Sequence, residues 1–347
     1  MPHPRPILAL LAALLTALLP GCGRPAGVIF DPADGARVWP SPPDEPRIRY
    51  VGQLRGSDDL KPARGGFQSL GDTLFGKETG LFMVSPAGVY ADADRLYVAD
   101  RAAPGLQMFD LTTRKYERWA PPEKEGRFVT PVAVAAGPHD TILASDAGAG
   151  FLAQFDRSGK FLGFLGRDSL QRPCGIALNP LTGEIYVADA ASHQIVILSP
   201  DGAEAGRLGS RGSAPGHFNF PTYIAFDRQA RLFVSDSLNF RVQVFGPSGE
   251  FLREIGRKGD MPGYFSQPKG LALDPEGHLY VVDANFEAVQ VFDTEGSLLM
   301  TFGKEGRGPG EFWLPAGIAS DTQGRLWIAD SYNKRVQVFQ YLGGGAP

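Results

Sequence analysis

The sequence predicts an all-β fold, a six-bladed β-propeller of four-stranded antiparallel blades, and three observations carry that prediction. First, a short β-rich phrase ending in aspartate returns six times. It reads Leu96-Tyr97-Val98-Ala99-Asp100, Ile142-Leu143-Ala144-Ser145-Asp146, Ile185-Tyr186-Val187-Ala188-Asp189, Leu232-Phe233-Val234-Ser235-Asp236, Leu279-Tyr280-Val281-Val282-Asp283 and Leu326-Trp327-Ile328-Ala329-Asp330. The aspartates stand 46, 43, 47, 47 and 47 residues apart, the period of a propeller blade. Second, Gly (44) and Pro (29) are spread along 347 residues, which suits short strands joined by turns and not a helical bundle. Third, two landmarks keep step with the aspartates. A proline lies 14 to 16 residues upstream (Pro86, Pro131, Pro173, Pro221, Pro268, Pro315), and an apolar strand end nine residues downstream (Phe109, Phe155, Leu198, Phe245, Phe292, Phe339).

The fourth copy shows how one blade is built. Pro221 to Phe226 is the first strand, Asp227-Arg228-Gln229-Ala230 a turn, Leu232 to Ser235 the second strand and Val242 to Phe245 the third. The turn Gly246-Pro247-Ser248-Gly249 leads into the fourth, Phe251 to Ile255. Alternation such as Val242-Gln243-Val244 places successive side chains on opposite faces. The sixth copy stops after its third strand, near Tyr341-Leu342, so its sheet would keep an unpaired edge. Arg47 to Gly52 is the one strand before the first copy, and it is expected to complete the last blade and close the ring. The propeller is thus read as residues 47–342, followed by a loose tail at 343–347. Phe67 to Phe75 is expected to form a short helix plugging one rim.

Pro-x-Gly-Ile-Ala, Leu-Tyr-Val-Ala-Asp, Asn-x-Arg-Val-Gln-Val-Phe and the linking Gly-x-Gly-Pro-Gly-x-Phe resemble NHL repeats. Copies four and six match best, with Asn239-Phe240-Arg241 and Asn333-Lys334-Arg335, while copies one and two lack the Asn-x-Arg element. The resemblance covers roughly residues 85 to 340 and implies the propeller fold; it says much less about function.

Residues 1–21 read as an address. Ile7 to Leu19 is an apolar run of signal-peptide length, and it ends in Leu19-Pro20-Gly21-Cys22, which resembles the bacterial lipoprotein cleavage box. Cys22 would then become the lipidated N-terminus and anchor the chain in a membrane. Gly23 follows it, where an Asp tends to mark inner-membrane retention, so the outer membrane is the expected location. Residues 22–46, rich in proline, read as a stiff tether lifting the body from the membrane.

The net charge of −4 argues against nucleic-acid binding, which needs clustered Lys and Arg. The chain contains neither His-Glu-x-x-His nor Gly-x-Ser-x-Gly. Glycine-rich stretches such as Gly306 to Gly310 precede strands, unlike phosphate-binding loops that open a helix, and read as linkers between blades. Because every copy carries one, Asp100, Asp146, Asp189, Asp236, Asp283 and Asp330 read as structural caps of the turn after the second strand. Arg241 and Arg335 are read as pairing with turn carboxylates or carbonyls.

His139 and His278 fall in turns between first and second strands and read as exposed. His193 and His217 lie in loops that open on the opposite rim, beside Asp189 and Asp236; these four are the candidates for a metal site, with exposed loop residues as the plainer reading. Propeller lyases resembling these repeats, such as peptidyl-hydroxyglycine lyase, use several channel histidines, more than this chain offers. The first strands line the channel, and most copies keep the two positions after the proline small. Cys174, Tyr223 and Lys269 break that pattern on three consecutive blades, so an entering ligand or peptide terminus would meet a thiol, a phenol and a cation, unless the three merely fill the channel.

The reading is therefore a monomeric, non-catalytic lipoprotein of the cell envelope, without a cofactor, that binds a protein or peptide across its rim. Association with electron-transfer cytochromes is one option that the resemblance allows. The rivals are a metal-dependent lyase or lactone hydrolase, and a small-ligand receptor at Cys174, Tyr223 and Lys269.

Overall fold

The structure, a computed structural model, describes residues 26–30, 37–63, 80–92, 94–103 and 105–343. The signal segment, Cys22 and the stretch from Phe67 to Phe75 lie outside the described residues. Six antiparallel sheets follow one another along the chain. Blade four comprises Pro221–Phe226, Leu232–Asp236, Arg241–Phe245 and Phe251–Ile255, within one residue of the boundaries read from the sequence. Blades one, two, three and five repeat this order, with first strands at Pro86–Ala91, Pro131–Gly137, Pro173–Leu178 and Pro268–Leu273. The alternation of burial expected of a strand is clearest on the outermost one, where Phe251 to Ile255 alternates half-buried and exposed before ending buried. The second and third strands of blade four are buried throughout, because neighbouring blades cover both faces of the inner sheet.

The ring closes as expected. Ile48–Leu54 pairs antiparallel with Arg335–Tyr341, from Ile48 opposite Tyr341 to Leu54 opposite Val336. A fifth strand, Val38–Trp39, adds to the outside of that sheet. Trp39 packs against Phe302 and Phe339, with ring centroids 6.0 and 5.8 Å away, and Arg37 donates to the carbonyl of Pro309 at 2.7 Å. Residues 37–46, expected to be tether, therefore belong to the last blade. Their prolines flank an aromatic anchor whose burial outweighs the chain stiffness read from composition.

All six apolar strand ends, Phe109 through Phe339, are buried at the blade centres. The repeat aspartates are buried too, and they cap turns as expected while doing more. Asp100 accepts from the backbone N–H groups of Ala102 and Ala103 in the following turn, and from Val84 and Ser85 just before the first strand. Asp146, Asp189 and Asp283 repeat this double cap. One carboxylate thus staples both loops of a blade to each other. In blades four and six, where the Asn-x-Arg element is present, side chains take over the inner contacts. Asp236 receives Asn239, Arg241 and Gln243, and Asp330 receives Asn333, Arg335 and Gln337.

The buried glutamines of Val-Gln-Val-Phe carry a role that the sequence did not signal. Gln243 donates to the carbonyl of His217 at 2.7 Å and accepts from the N–H of Gly216 at 2.9 Å. Gln290 and Gln337 do the same to Tyr264 with Gly263 and to Glu311 with Gly310. Each holds the linker that enters its blade.

Candidate functional site

The six first strands begin at their prolines on one rim, here the proline rim, where each proline pairs with its repeat aspartate. The register then shifts within three residues in every blade. Such a bulge re-aims side chains locally, and the residues on it are those singled out in the channel: Cys174, Tyr223 and Lys269. Glycine usually holds the second bulge position because the next first strand passes close behind it. A Cβ at Gly317 would lie 2.5 Å from the carbonyl oxygen of Ala87, and one at Gly270 would lie 2.5 Å from that of Ala316.

The structure brings the three residues together in one cavity of about 250 Å³ at the proline-rim mouth of the channel. Arg101, Thr130, Val132, Ala147, Arg172 and Thr222 complete its lining. Two of these, Arg101 and Arg172, were missed in the sequence because they occupy different places in their repeats, one just after a repeat aspartate and the other just before a repeat proline. Among the described residues, no Asp or Glu lines the cavity. Among the described residues Arg101, Arg172 and Lys269 form no ion pair.

Burial dominates the protonation of this site. It pushes the Tyr223 hydroxyl up to about 12 and the Cys174 thiol up to about 11, so both are neutral near pH 7 and the thiol is a poor nucleophile. Burial, with the Arg101 guanidinium nearby, brings the Lys269 amine down to about 8, against an opposing pull from Asp283. Tyr223 crosses the channel and donates to the carbonyl of Ala87 at 3.3 Å. It lines both the mouth and the deeper channel of about 290 Å³, and so stands between them.

His193 is not an exposed loop residue. It is buried, its Nδ1 accepts from the N–H of Phe220 at 3.2 Å, and its ring packs edge-on against Phe220 at 4.7 Å. Phe220 has φ of 54°, a left-handed turn that directs its N–H to the preceding blade. His217 is half-buried, with Nδ1 hydrogen-bonded to Ser210 Oγ at 2.8 Å. The Asp189 and Asp236 carboxylates are engaged in the loop staples. Among the described residues, no group of three or more His, Cys, Asp or Glu is placed to hold a metal ion.

The proline rim also carries exposed apolar groups. Tyr332 is 59% exposed and packs against Trp313 at 5.5 Å, and Arg307 lies over the Trp313 ring at 4.6 Å. Blades one and two, next around the ring, expose Phe82, Val84 and Val129 on the same rim.

On the opposite rim lies a larger cavity of about 620 Å³ between blades four, five and six. His278, expected as an exposed turn residue, forms part of its wall and is half-buried. Its Nδ1 is 2.8 Å from Asp274 Oδ2, a bond that raises its pKa. His139 is exposed as expected.

With this geometry in place, the chain is a six-bladed β-propeller whose last blade carries NHL-repeat sequence. The NHL repeat family model matches residues 312–339, and a six-bladed beta-propeller family model matches residues 227–285. Among solved structures it is similar to an auxiliary nutrient binding protein from Bacteroides ovatus (TM-score 0.59, 14% identity, covering 76% of this chain and 70% of that one). It is also similar to virginiamycin B lyase from Staphylococcus aureus (0.55, 15%, 74% and 95%) and to a Bacteroides thetaiotaomicron protein of unknown function (0.57, 17%, 76% and 70%). At these identities the likeness is one of fold. No curated protein gives a significant match.

Proposed function

We propose that the protein is an exported, lipid-anchored, non-catalytic binding platform of the cell envelope that docks a protein or peptide on its proline rim. The observation that carries this reading is the Arg307, Trp313 and Tyr332 cluster, with Phe82, Val84 and Val129 on the same rim, around a cationic mouth. Exposed aromatic and arginine side chains are the groups that anchor interfaces, and the opposite rim has no matching cluster among the described residues. The nutrient-binding propeller of similar fold agrees with a binding role. The test is crosslinking capture from an envelope fraction by the wild-type chain and by a Tyr332→Asp variant of unchanged melting temperature. Loss of the captured partner in the variant supports the platform; an identical set of partners overturns it. Anchoring is tested by incorporation of labelled palmitate, which Cys22→Ala should abolish.

A second reading, an enzyme related in fold to the propeller lyases, is favoured by one observation only: the 620 Å³ cavity with the Asp274-held His278 on its wall. An aspartate that orients a histidine is the arrangement of a general base. Near-stoichiometric zinc or calcium in the purified chain would move the weight to this reading.

A further inference from the structure

We infer that the proline-rim mouth is a carboxylate site that receives one carboxylate on a small apolar body, as presented by the C-terminal residue of a peptide or by a short-chain acid. The inference deepens the reading of this rim as the docking face and rests on it.

Charge is the first argument. Arg101, Arg172 and Lys269 meet at a cavity that, among the described residues, no acidic side chain lines. Like charges gathered where water is scarce repel one another, and an anion between them removes that repulsion. Lys269 records the strain, since burial and Arg101 depress its amine while Asp283 alone opposes them; Arg172 stands exposed at the lip, and Cys174 and Tyr223 are neutral. Guanidinium groups match a carboxylate with two parallel hydrogen bonds.

Size and wall chemistry come second. About 250 Å³ is below the range of ordinary cofactor and drug pockets, so the site takes something of the scale of one residue. Between the cations the wall is mostly apolar, made by Val132, Ala147, Cys174 and the Tyr223 ring with Thr130 and Thr222 beside them. Such a wall suits an alkyl body and disfavours a strongly hydrated dianion such as phosphate.

Depth selects the end of a chain. The Tyr223 hydroxyl spans to the Ala87 carbonyl of blade one, across the channel. The pocket is therefore blind, and it accepts the end of a chain in preference to an internal segment.

Calorimetry on the full chain tests this with four probes: the tripeptide Gly-Gly-Val, its C-terminal amide, sodium butyrate and inorganic phosphate. The expected result is binding of the free-acid tripeptide, at least tenfold weaker binding of the amide, and at least tenfold loss in Lys269→Met at unchanged melting temperature. Arg172→Gln, a change at the exposed lip, repeats the test should Lys269→Met not fold, with a loss in the same direction. A tripeptide that binds more tightly than butyrate makes a peptide terminus the source of the carboxylate; equal binding makes it a free acid. An amide that binds as well as the acid, phosphate that binds more tightly than either carboxylate, or variants that bind as wild type would each overturn the inference. Failure of the platform reading is separate: it shows as partner capture that Tyr332→Asp leaves unchanged, and Tyr332 does not line this cavity.

Discussion

Replacing Arg335 with Met should be among the most damaging single changes on the closing blade. The side chain is 1% exposed and makes five hydrogen bonds. Nε donates to Asp330 at 2.7 Å; Nη1 donates to Gln53 at 2.7 Å and to the Arg307 carbonyl at 2.9 Å; Nη2 donates to the carbonyls of Gly308 and Glu311 at 2.9 and 2.8 Å. It thereby joins the repeat aspartate, the incoming linker and the closing strand. Met retains much of the volume but leaves Asp330 charged and buried without its partner, a change that typically costs about 3–5 kcal/mol. The loss would be read from guanidinium unfolding followed by the fluorescence of Trp327, which is fully buried in the same blade. Burial already raises the Asp330 pKa, and loss of the guanidinium raises it further. A carboxylate whose folded pKa exceeds its unfolded value weakens the fold above that pKa, so the penalty should shrink as pH falls toward about 4. Arg241→Met is the internal control. Arg241 binds Asp236, Glu254 and two linker carbonyls, but it does not reach a strand from the far end of the chain, and its loss should be smaller. A loss below about 1 kcal/mol for Arg335→Met, or a larger one for Arg241→Met, would refute the reasoning.

Three further outcomes are expected. Gly317→Ala should destabilise the ring by about 1–3 kcal/mol, because its Cβ would meet the Ala87 carbonyl at 2.5 Å; unchanged denaturant midpoints would contradict the close packing of first strands. Cys174, 8% exposed and with its thiol up at about 11, should react with a disulfide reagent at pH 8 far more slowly than a free thiol until denaturant is added. Lys269, down at about 8, loses its proton in the folded state before it does so in the unfolded chain. Stability of the wild type relative to Lys269→Met should therefore rise with pH from about 8 toward 10.5, by up to about 3 kcal/mol, and parallel pH curves would show that the amine is not desolvated.

The ring, its blade count and its closing strand were legible because each rests on a local signal in fixed register. The alternation Val242-Gln243-Val244 and the phrase Leu232 to Asp236 place strands within a residue, and the missing fourth strand of the last copy called for Arg47 to Gly52, found as Ile48–Leu54. Cys174, Tyr223 and Lys269 were legible together for the same reason, since a place one or two residues past a repeat proline means nearly equal depth in the channel. Arg101 and Arg172 reach the same cavity from unlike repeat positions, and register cannot group them. The role of His193 stayed hidden because it depends on a neighbour, Phe220, whose left-handed backbone only the folded linker determines. Trp39 was hidden by the prolines around it, which pointed to tether while the indole found a place on the last blade.

The antiparallel clasp of Ile48–Leu54 on Arg335–Tyr341 gives the ring a mechanical direction. Arg47 and Leu342 leave the pair at the same end, joined by a 2.9 Å hydrogen bond from the Leu342 N–H to the Arg47 carbonyl. Tension that draws these two residues apart would open the clasp one rung at a time, as a zipper opens. Tension applied at Arg47 against a load held on the proline rim runs along the strand axis and stretches all the rungs together. The same few hydrogen bonds are therefore weak to peeling and strong in shear, and Val38–Trp39, paired on the outside of Ile48–Leu54, must come away before a pull from the N-terminal side reaches them.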